Sequence, residues 1–470
     1  MSPRSTLRLA TATVVLLMAA ALPGPLTAPA GAADAPAAPV PATPLLSARR
    51  LPAVLQGASA DPRLAETLDP FLDKAVGKEC AVVLDGGRVA YTRNLSSTMV
   101  PASVLKLLTG TAALQVLGAD TKLATVAGAA GPMTDGVVDG DLFVVGGGDP
   151  LLTTPGFKTS LDDPEQVTEA YSDLADALVA AGLKEVRGGI VGDDSRYEDV
   201  RWVPSWPTRY QREGFVGPLS ALMVNDGQTG FADTPDAQTA NRKPGDPPAL
   251  AAQTLKTLLV QRGVKVGGGG SSGTAPGGLQ EVARMESLPV ADIVGEMITN
   301  SDNTTAELLT REMGFVAKGR GSTAAGVEVI ADTLRSLGYD TTGLELHDGS
   351  GLDPADKVPC PLVLDILTRS GRDSVIGRSM AVAGKTGTLR KRMLSSEATG
   401  RVQAKTGTLN EVNALAGYAD TPKGNAITFL MIQNGLQPNG MSWVDKYAAL
   451  LMSYADAPAL ESLGPLPVRP

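Results

Sequence analysis

The stretch Pro101-Ala-Ser-Val-Leu-Lys106 decides how this chain of 470 residues is organised. Proline suits the first turn of a helix, where its missing N–H costs nothing, so we predict that a helix begins here. Beyond the stretch, Leu108, Ala112 and Leu117 return to one side, as they would in a buried helix. Ser103 and Lys106 then share a helix face within hydrogen-bond reach of each other.

Two further polar motifs follow in a fixed order. Ser301-Asp-Asn303 lies between two helical patterns, and Lys405-Thr-Gly-Thr408 lies on a predicted strand. Each motif is weak evidence alone, because serine often caps a helix and lysine is often a solvated charge on the surface. Together, in this order and setting, they are typical of a serine acyl-transfer site that needs no histidine. The one histidine, His347, is predicted to lie in a turn.

A lysine can serve as a base only if its pKa is lowered. Burial and a neighbouring cation both disfavour the charged amine. Lys405 is our candidate for that second cation beside Lys106. Ser301 could relay a proton to a leaving amine, and Asn303 could orient the lysine and a substrate amide. Free N–H groups at the start of the helix could hold an oxyanion.

The third motif occurs twice. An earlier copy, Lys385-Thr-Gly-Thr-Leu389, is followed by Arg390-Lys-Arg392, which is typical of a solvated loop. The later copy lies in an alternating run and precedes a second apolar strand, so we favour it. Three consecutive antiparallel strands are predicted here, at about 401–409, 414–419 and 426–433. There Thr406 and Thr408 could bind a carboxylate, and Gly407 would let a substrate backbone approach the strand.

Composition excludes several classes of function. The net charge is −9 with 19% charged residues, which disfavours nucleic acid as a partner. One histidine and two cysteines are too few for a zinc site, so we predict no metal. Cys80 and Cys360 each begin an apolar run, and both a disulfide and two buried thiols fit an exported chain.

The chain divides into five predicted segments. Residues 1–32 read as a signal peptide, with basic residues, an apolar run and an Ala-x-Ala site; a retained anchor is the alternative. Residues 33–52 form an Ala/Pro-rich linker. Residues 53–121 and 285–460 are two parts of one α/β (α+β) domain, an antiparallel sheet flanked by helices. Residues 122–284 alternate short β-like runs with turns, interrupted by one predicted helix at about 165–181, and are predicted to be a β-rich inserted domain.

With these motifs placed, the chain resembles the penicillin-binding proteins of the D-alanyl-D-alanine carboxypeptidase/endopeptidase family, peptidase family S13. Four other stretches share in the resemblance. They are Gly140 to Pro150, Gly188 to Asp193, Asp348 to Leu352, and Ala404 to Leu409 followed by Ala416-Gly-Tyr418. That family has a serine β-lactamase-like fold and also nests domains between the first and second motifs.

The resemblance implies a role for each motif residue. Ser103 would be the nucleophile, Lys106 its base, and Ser301 and Asn303 the proton relay and amide-binding groups. The substrate would be a peptidoglycan stem peptide ending in D-Ala-D-Ala, held by its carboxylate, and β-lactams would acylate the same serine. The remaining implied groups are Lys405, Thr406, Gly407 and Thr408 at the carboxylate, the N–H groups of Ser103 and Thr408 as oxyanion hole, and Leu352 and Trp206 as pocket walls.

The resemblance implies no cofactor, an exported location, and no membrane span after signal cleavage. Two rival functions stay open at this stage. One is a β-lactamase of the same superfamily, disfavoured by the long insertion and by the lack of a Glu-x-x-Leu-Asn sequence after Asn303. The other is a non-catalytic penicillin-sensing or wall-binding protein, disfavoured by the intact motifs.

Overall fold

A computed structural model describes residues 52–229, 243–435 and 442–456. The predicted signal peptide and nearly all of the linker lie outside these ranges. The described part forms the following α-helices: α1 Pro52–Leu72, α2 Lys106–Val116, α3 Pro155–Lys158, α4 Ser172–Ala180, α5 Arg209–Glu213, α6 Pro247–Gln261, α7 Val290–Asn300, α8 Asn303–Lys318, α9 Thr323–Ser336, α10 Cys360–Ser370, α11 Val375–Arg378 and α12 Ser442–Leu451. In this part of the chain no helix has the length and apolarity to span a bilayer.

The described strands fall into one large antiparallel sheet, one mixed five-stranded sheet, one three-stranded sheet and three short pairs. They are β1 Lys78–Asp85, β2 Arg88–Arg93, β3 Thr98–Met99, β4 Lys122–Ala129, β5 Val137–Val138, β6 Leu142–Val145, β7 Leu152–Thr153, β8 Glu169–Ala170, β9 Glu185–Val186, β10 Ile190–Asp193, β11 Gln228–Thr229, β12 Lys243–Pro244, β13 Lys265–Val266, β14 Gly270–Ser272, β15 Gln280–Pro289, β16 Val358–Pro359, β17 Ala381–Val382, β18 Val402–Leu409, β19 Val412–Asp420 and β20 Ala426–Asn434.

The large sheet joins the two ends of the chain. Its strand order is β17-β18-β19-β20-β1-β2, and every neighbouring pair is antiparallel. Strand β1 therefore pairs with β20, more than three hundred residues later, with Val82 opposite Leu430. The three consecutive strands predicted near the end of the sequence are present as β18, β19 and β20. This pairing makes the N-terminal and C-terminal parts one structural unit.

Both faces of this sheet are buried, because successive side chains of β19 point to opposite faces and all of them from Val412 to Ala419 are buried. On one face, Ala414 and Ala416 pack with Leu108 of α2 and Met297 of α7. On the other face, Leu415 lies in a separate apolar cluster with residues of α1 and α12. A single strand such as β19 thus supplies both cores, and helices flank the sheet on both sides as predicted.

The middle of the chain forms a second sheet with the order β14-β10-β6-β4-β15. Strands β6, β10 and β14 run parallel, whereas β4 and β15 pair antiparallel at the other edge. Helices α4 and α6 pack on it through Leu174 and Leu255. The sequence indicated a single helix between about 165 and 181. It missed α6, whose Pro247-Pro248 start resembles a turn but also suits the first turn of a helix.

Cys80 and Cys360 form a disulfide that ties β1 to the first residue of α10. Both residues are fully buried, and the bond spans a sequence separation of 280 residues. The sequence left open whether these cysteines pair, and the structure pairs them. Because β1 pairs with a strand on each side within the large sheet, the bond fixes α10 against that sheet.

Replacing both cysteines by alanine should lower the free energy of unfolding by about 2–5 kcal/mol, because the unfolded chain regains the freedom that the cross-link removes. Urea unfolding followed by circular dichroism measures the change. Dithiothreitol should lower the midpoint of the parent protein and leave the double variant unchanged. Equal midpoints for the parent and the double variant would contradict this role.

Candidate active site

Ser103 lies on a short 3₁₀ turn, Ala102–Leu105, that runs directly into α2. Its neighbour Ala102 has a φ of 46°, a conformation that residues other than glycine rarely adopt. Gly351 packs directly against this turn, since a Cβ on Gly351 would lie 2.0 Å from the Ala102 carbonyl oxygen. Ser103 itself is half-exposed, whereas Ala102, Val104 and Leu105 of the same turn are buried.

Lys106 is fully buried and has three hydrogen-bond partners. Its Nζ lies 3.0 Å from Ser103 Oγ, 2.7 Å from Asn303 Oδ1 and 2.7 Å from the Ser350 carbonyl oxygen. Three contacts account for all three donor positions of an ammonium group. The first two motifs therefore meet at a single amine, as their order in the sequence predicted.

Burial lowers the pKa of Lys106 to about 8, and the nearby carboxylates of Asp348 and Asp302 oppose the shift. Water is a better solvent for an ammonium ion than a protein interior is, so burial favours the neutral amine. A substantial fraction of the amine is then neutral near pH 8. Lys106 can accept a proton from Ser103, which an ordinary lysine could not do.

Ser301 and Asn303 flank the junction of α7 and α8. Ser301 ends α7 in the left-handed conformation with a φ of 61°, and Asp302 begins α8 by accepting a hydrogen bond from Thr305 N at 2.7 Å. The sharp turn between the two helices points both motif side chains the same way. Asn303 Nδ2 donates to the Phe215 carbonyl oxygen at 2.6 Å, which fixes the orientation of its amide.

Lys405 is the second buried lysine of the site. Its Nζ donates to Ser301 Oγ at 2.7 Å and to the Thr406 carbonyl oxygen at 2.9 Å. Burial, followed by the charges of Lys106 and Arg392, holds the pKa of Lys405 well below its usual range. The structure thus brings the third motif to the second through Ser301. We expected Lys405 to lower the pKa of Lys106, but burial lowers that pKa, and it is the charge of Lys106 that lowers the pKa of Lys405.

Strand β18 runs beside the Ser103 turn. We expected Gly407 to leave room for a substrate backbone, but a Cβ there would lie 2.8 Å from the Pro101 carbonyl oxygen and 3.2 Å from Ala102 Cβ. The space is therefore used by the turn that carries the serine. Thr406 is buried, whereas Thr408 is exposed at the end of the strand beyond Gly407.

The earlier Lys-Thr-Gly copy lies in a loop. Lys385 is exposed, and the 3₁₀ helix Gly387–Leu389 follows it. This copy still reaches the site through Thr388, whose hydroxyl accepts a hydrogen bond from Thr406 Oγ1 at 3.0 Å. The two copies thus occupy different environments, and one threonine of the loop supports the strand.

A cavity of about 590 Å³ opens beside the second motif. Its lining includes Ser301, Asn303, Thr388 and Phe215. The two proposed pocket walls do not line it. Trp206 and Leu352 are buried in one apolar cluster against α8, and Trp206 Nε1 donates to Asp348 Oδ2 at 2.8 Å; the cluster comprises Tyr197, Val203, Trp206, Tyr210, Val216, Leu219, Ala221, Met223, Leu308 and Leu352.

Several supporting groups were not identified from the sequence. Phe215 contacts Asn303 from a segment without a recognisable signature, and Thr388 contacts Thr406 from the copy of the Lys-Thr-Gly motif that we did not favour. Glu307 and Asp348 lie buried behind Lys106 and bind backbone N–H groups of the turn at 348–351. The one available signal for Glu307 was its position four residues after Asn303, which places both on one face of α8. His347 lies in a bend with its side chain exposed.

Taken together, the arrangement can carry out acyl transfer. Ser103 is a half-exposed serine, Lys106 is a base with a lowered pKa, and Ser301 lines the cavity and accepts a hydrogen bond from Lys405. These are the nucleophile, the base and a proton-carrying group that such a reaction needs. Asn303, which lines the same cavity, can bind an amide there.

Comparison with known proteins is consistent with this chemistry. The profile of the D-Ala-D-Ala carboxypeptidase 3 (S13) family matches residues 63–243 and 230–451. The chain is 30% identical to the D-alanyl-D-alanine carboxypeptidase of Actinomadura sp. (strain R39), over 84% of each chain. It is 31% identical to the carboxypeptidase DacB of Mycolicibacterium smegmatis, over 91% of this chain and 90% of that protein.

The fold is also shared with solved structures. Penicillin binding protein 4 of Haemophilus influenzae matches with a TM-score of 0.68 at 21% identity, over 82% of this chain and 98% of that one. Its complex with a β-lactam matches with a TM-score of 0.59. The resemblance drawn from the motifs is thereby confirmed at the level of sequence family and fold: the chain belongs to the D-Ala-D-Ala carboxypeptidase family S13.

Proposed function

We propose that this protein is a serine D-alanyl-D-alanine carboxypeptidase that acts on peptidoglycan stem peptides through an acyl-enzyme on Ser103. The observation that carries the proposal is the 3.0 Å separation between Ser103 Oγ and the buried Nζ of Lys106, whose pKa is about 8. Membership of family S13 and relatives named as D-alanyl-D-alanine carboxypeptidases support the same activity.

In the acylation step, neutral Lys106 takes the proton of Ser103 as the hydroxyl oxygen attacks the carbonyl carbon between the two D-alanines. The developing oxyanion would be held by the backbone N–H groups of Ser103 and Thr408. Collapse of the intermediate breaks the C–N bond and releases D-alanine, whose amine receives a proton by way of Ser301. Water then hydrolyses the ester, and the serine regains its proton.

Substrate recognition is assigned to the second and third motifs. Asn303 would bind the amide on the acyl side, since its own amide is already oriented by the Phe215 carbonyl. Lys405, Thr406 and Thr408 would bind the terminal carboxylate. An arriving carboxylate favours the charged form of Lys405, which opposes the effect of burial on its pKa. Leu352 and Trp206 would act behind the site, as packing for α8.

β-Lactams would acylate Ser103 as substrate mimics. A structural relative from Haemophilus influenzae has been solved in complex with a β-lactam, which supports this expectation. The likeness of a β-lactam to the D-Ala-D-Ala terminus means that one serine would serve both reactions. A labelled penicillin is therefore a suitable probe of the proposed site.

We further propose the domain division and location inferred from the sequence. Residues 1–32 would be removed as a signal peptide, and residues 33–52 would be a linker at the start of the mature protein. The mature protein would act outside the cytoplasm, where peptidoglycan lies. Residues 122–284 would be the inserted domain between the two parts, 53–121 and 285–460, of the catalytic domain. The five-stranded sheet of the middle segment begins along the chain with β4 at Lys122, which supports the first boundary to within a few residues.

Incubation with a labelled penicillin should add the mass of one inhibitor to the protein, on the peptide that contains Ser103. Ser103→Ala should abolish the adduct, because no other hydroxyl lies beside Lys106 Nζ among its hydrogen-bond partners in the described residues. Intact-protein and peptide mass spectrometry measure the result. An adduct retained in Ser103→Ala would refute the assignment of the nucleophile, and the time course of its loss from the parent distinguishes a carboxypeptidase from a fast β-lactamase.

Lys405→Ala should slow penicillin acylation by roughly 100-fold, because the variant loses both the amine that would bind the carboxylate of the inhibitor and the hydrogen bond to Ser301. Lys385→Ala is the matched control. That lysine belongs to the other copy of the motif and is exposed, so its rate should stay within about twofold of the parent. Normal acylation in Lys405→Ala with loss in Lys385→Ala would show that the earlier copy is the functional one.

A further inference from the structure

Glu307 is a fully buried carboxyl group on α8, four residues after Asn303. Its Oε1 accepts hydrogen bonds from the N–H groups of both Gly349 and Ser350, each at 2.9 Å. Its Oε2 has no hydrogen-bond partner within the part of the chain that the structure describes. Charged side chains are rarely buried without a specific partner, so the pair of N–H groups is the reason for its position.

The two N–H groups belong to the turn that also binds Lys106. The Ser350 carbonyl oxygen lies 2.7 Å from Lys106 Nζ, and the Gly349 carbonyl oxygen accepts from Thr109 Oγ1 at 2.6 Å. Glu307 therefore binds the N–H groups on one side of this turn, and the carbonyl oxygens of Gly349 and Ser350 face α2 on the other side. The Ser350 carbonyl belongs to the next peptide group, whose Gly351 N–H donates to Asp348 Oδ1 at 2.7 Å. Asp348 Oδ1 also accepts from the Ser350 N–H at 3.1 Å, so Glu307 and Asp348 together orient that carbonyl.

There is little space in which the turn could shift. A Cβ on Gly349 would lie 1.8 Å from Thr310 Oγ1 of α8, and one on Gly351 would lie 2.0 Å from the Ala102 carbonyl oxygen. The turn is thus packed between α8 and the turn that carries Ser103. A displacement on the side of α8 would be transmitted to the serine and to the amine together.

We propose that Glu307 is a positioning residue for the reaction: it holds the Gly349–Ser350 peptide so that the Ser350 carbonyl keeps Lys106 Nζ within reach of Ser103 Oγ. Helix α8 then controls the amine twice, directly through Asn303 Oδ1 and indirectly through Glu307. This inference rests on the proposed function, because it gives Glu307 a part in acylation.

Several titratable groups surround Lys106 and enter any pH profile of the site. Asp348, Asp302, Glu307 and Glu296 raise its pKa, and Lys106 in turn lowers the pKa of Lys405. Burial, with Asp348 as the next cause, raises the pKa of Glu307 itself to about 8. Protonation on Oε2 leaves Oε1 able to accept both N–H groups, so the positioning role needs the oxygen and not the charge.

Glutamine, aspartate and alanine at this position separate the possible roles. Glu307→Gln retains an Oε1 acceptor at the same reach and should keep the rate of penicillin acylation within about threefold of the parent. Glu307→Asp is one methylene shorter, and Glu307→Ala has no acceptor. Both should slow acylation by roughly 10- to 100-fold, the cost of a misplacement of about an ångström at a reacting centre. For D-Ala-D-Ala peptides the loss should appear in kcat, with KM little changed.

Glu312→Ala is the control for loss of stability. Glu312 is a buried carboxylate on the same helix, but its partners are Arg196, at 2.6 Å, and Tyr197, at 2.9 Å, outside the site. It should lower the melting temperature as Glu307→Ala does, while leaving the acylation rate and its pH midpoint near those of the parent. If Glu307→Ala does not fold, Glu307→Asp takes its place in this comparison.

Two results would overturn the proposal. One is an acylation rate in Glu307→Asp or Glu307→Ala equal to that of the parent. The other is a loss in Glu307→Gln as large as in Glu307→Ala, which would assign the effect to the charge. Failure of the parent protein to react with penicillin at all would instead count against the proposed function, so the two failures are distinguishable.

Discussion

The structure depends on keeping one lysine amine away from water beside a serine hydroxyl. An ammonium ion loses much of its solvation on burial, so it must either find hydrogen-bond acceptors or give up its proton. Lys106 does both in part, with three acceptors around its Nζ and a pKa of about 8. Those acceptors come from three separate segments of the chain. The site is complete only when the whole domain has folded.

The architecture explains how distant segments meet. Strands from both ends of the chain form one antiparallel sheet, and the serine turn packs against β18 of that sheet. The buried disulfide between Cys80 and Cys360 fixes α10 against the same sheet. The middle of the chain leaves this domain after α2 and returns at α7. It also contributes to the site, because the Phe215 carbonyl orients Asn303.

Much of this arrangement could be predicted from the sequence, for identifiable reasons. The Ser103–Lys106 spacing on a helix, the three consecutive strands and the order of the motifs are local patterns, and local patterns report local geometry. The favoured copy of the Lys-Thr-Gly motif followed from the alternation around Lys405. These expectations needed no knowledge of which segments pack together.

The rest depended on tertiary packing and was not accessible. Gly407 is a glycine because the serine turn approaches its strand, which no sequence pattern reveals. Thr388 supports Thr406 although its own motif lies in a loop, and Glu307 acts through a backbone turn more than forty residues later along the chain. Trp206 and Leu352 pack behind the site instead of lining the cavity. Helix α6 was missed because two prolines begin it.

The central claim is that the Lys106 amine is neutral over a pH range in which ordinary lysines are charged. The most direct measurement is an NMR titration of protein labelled with ¹³C at lysine Cε, with the Lys106 signal assigned from a Lys106→Arg variant and the Lys405 signal from Lys405→Ala. The account predicts that the Lys106 signal titrates with a midpoint near pH 8. A midpoint at or above about 10, the range of an unperturbed lysine, would contradict it.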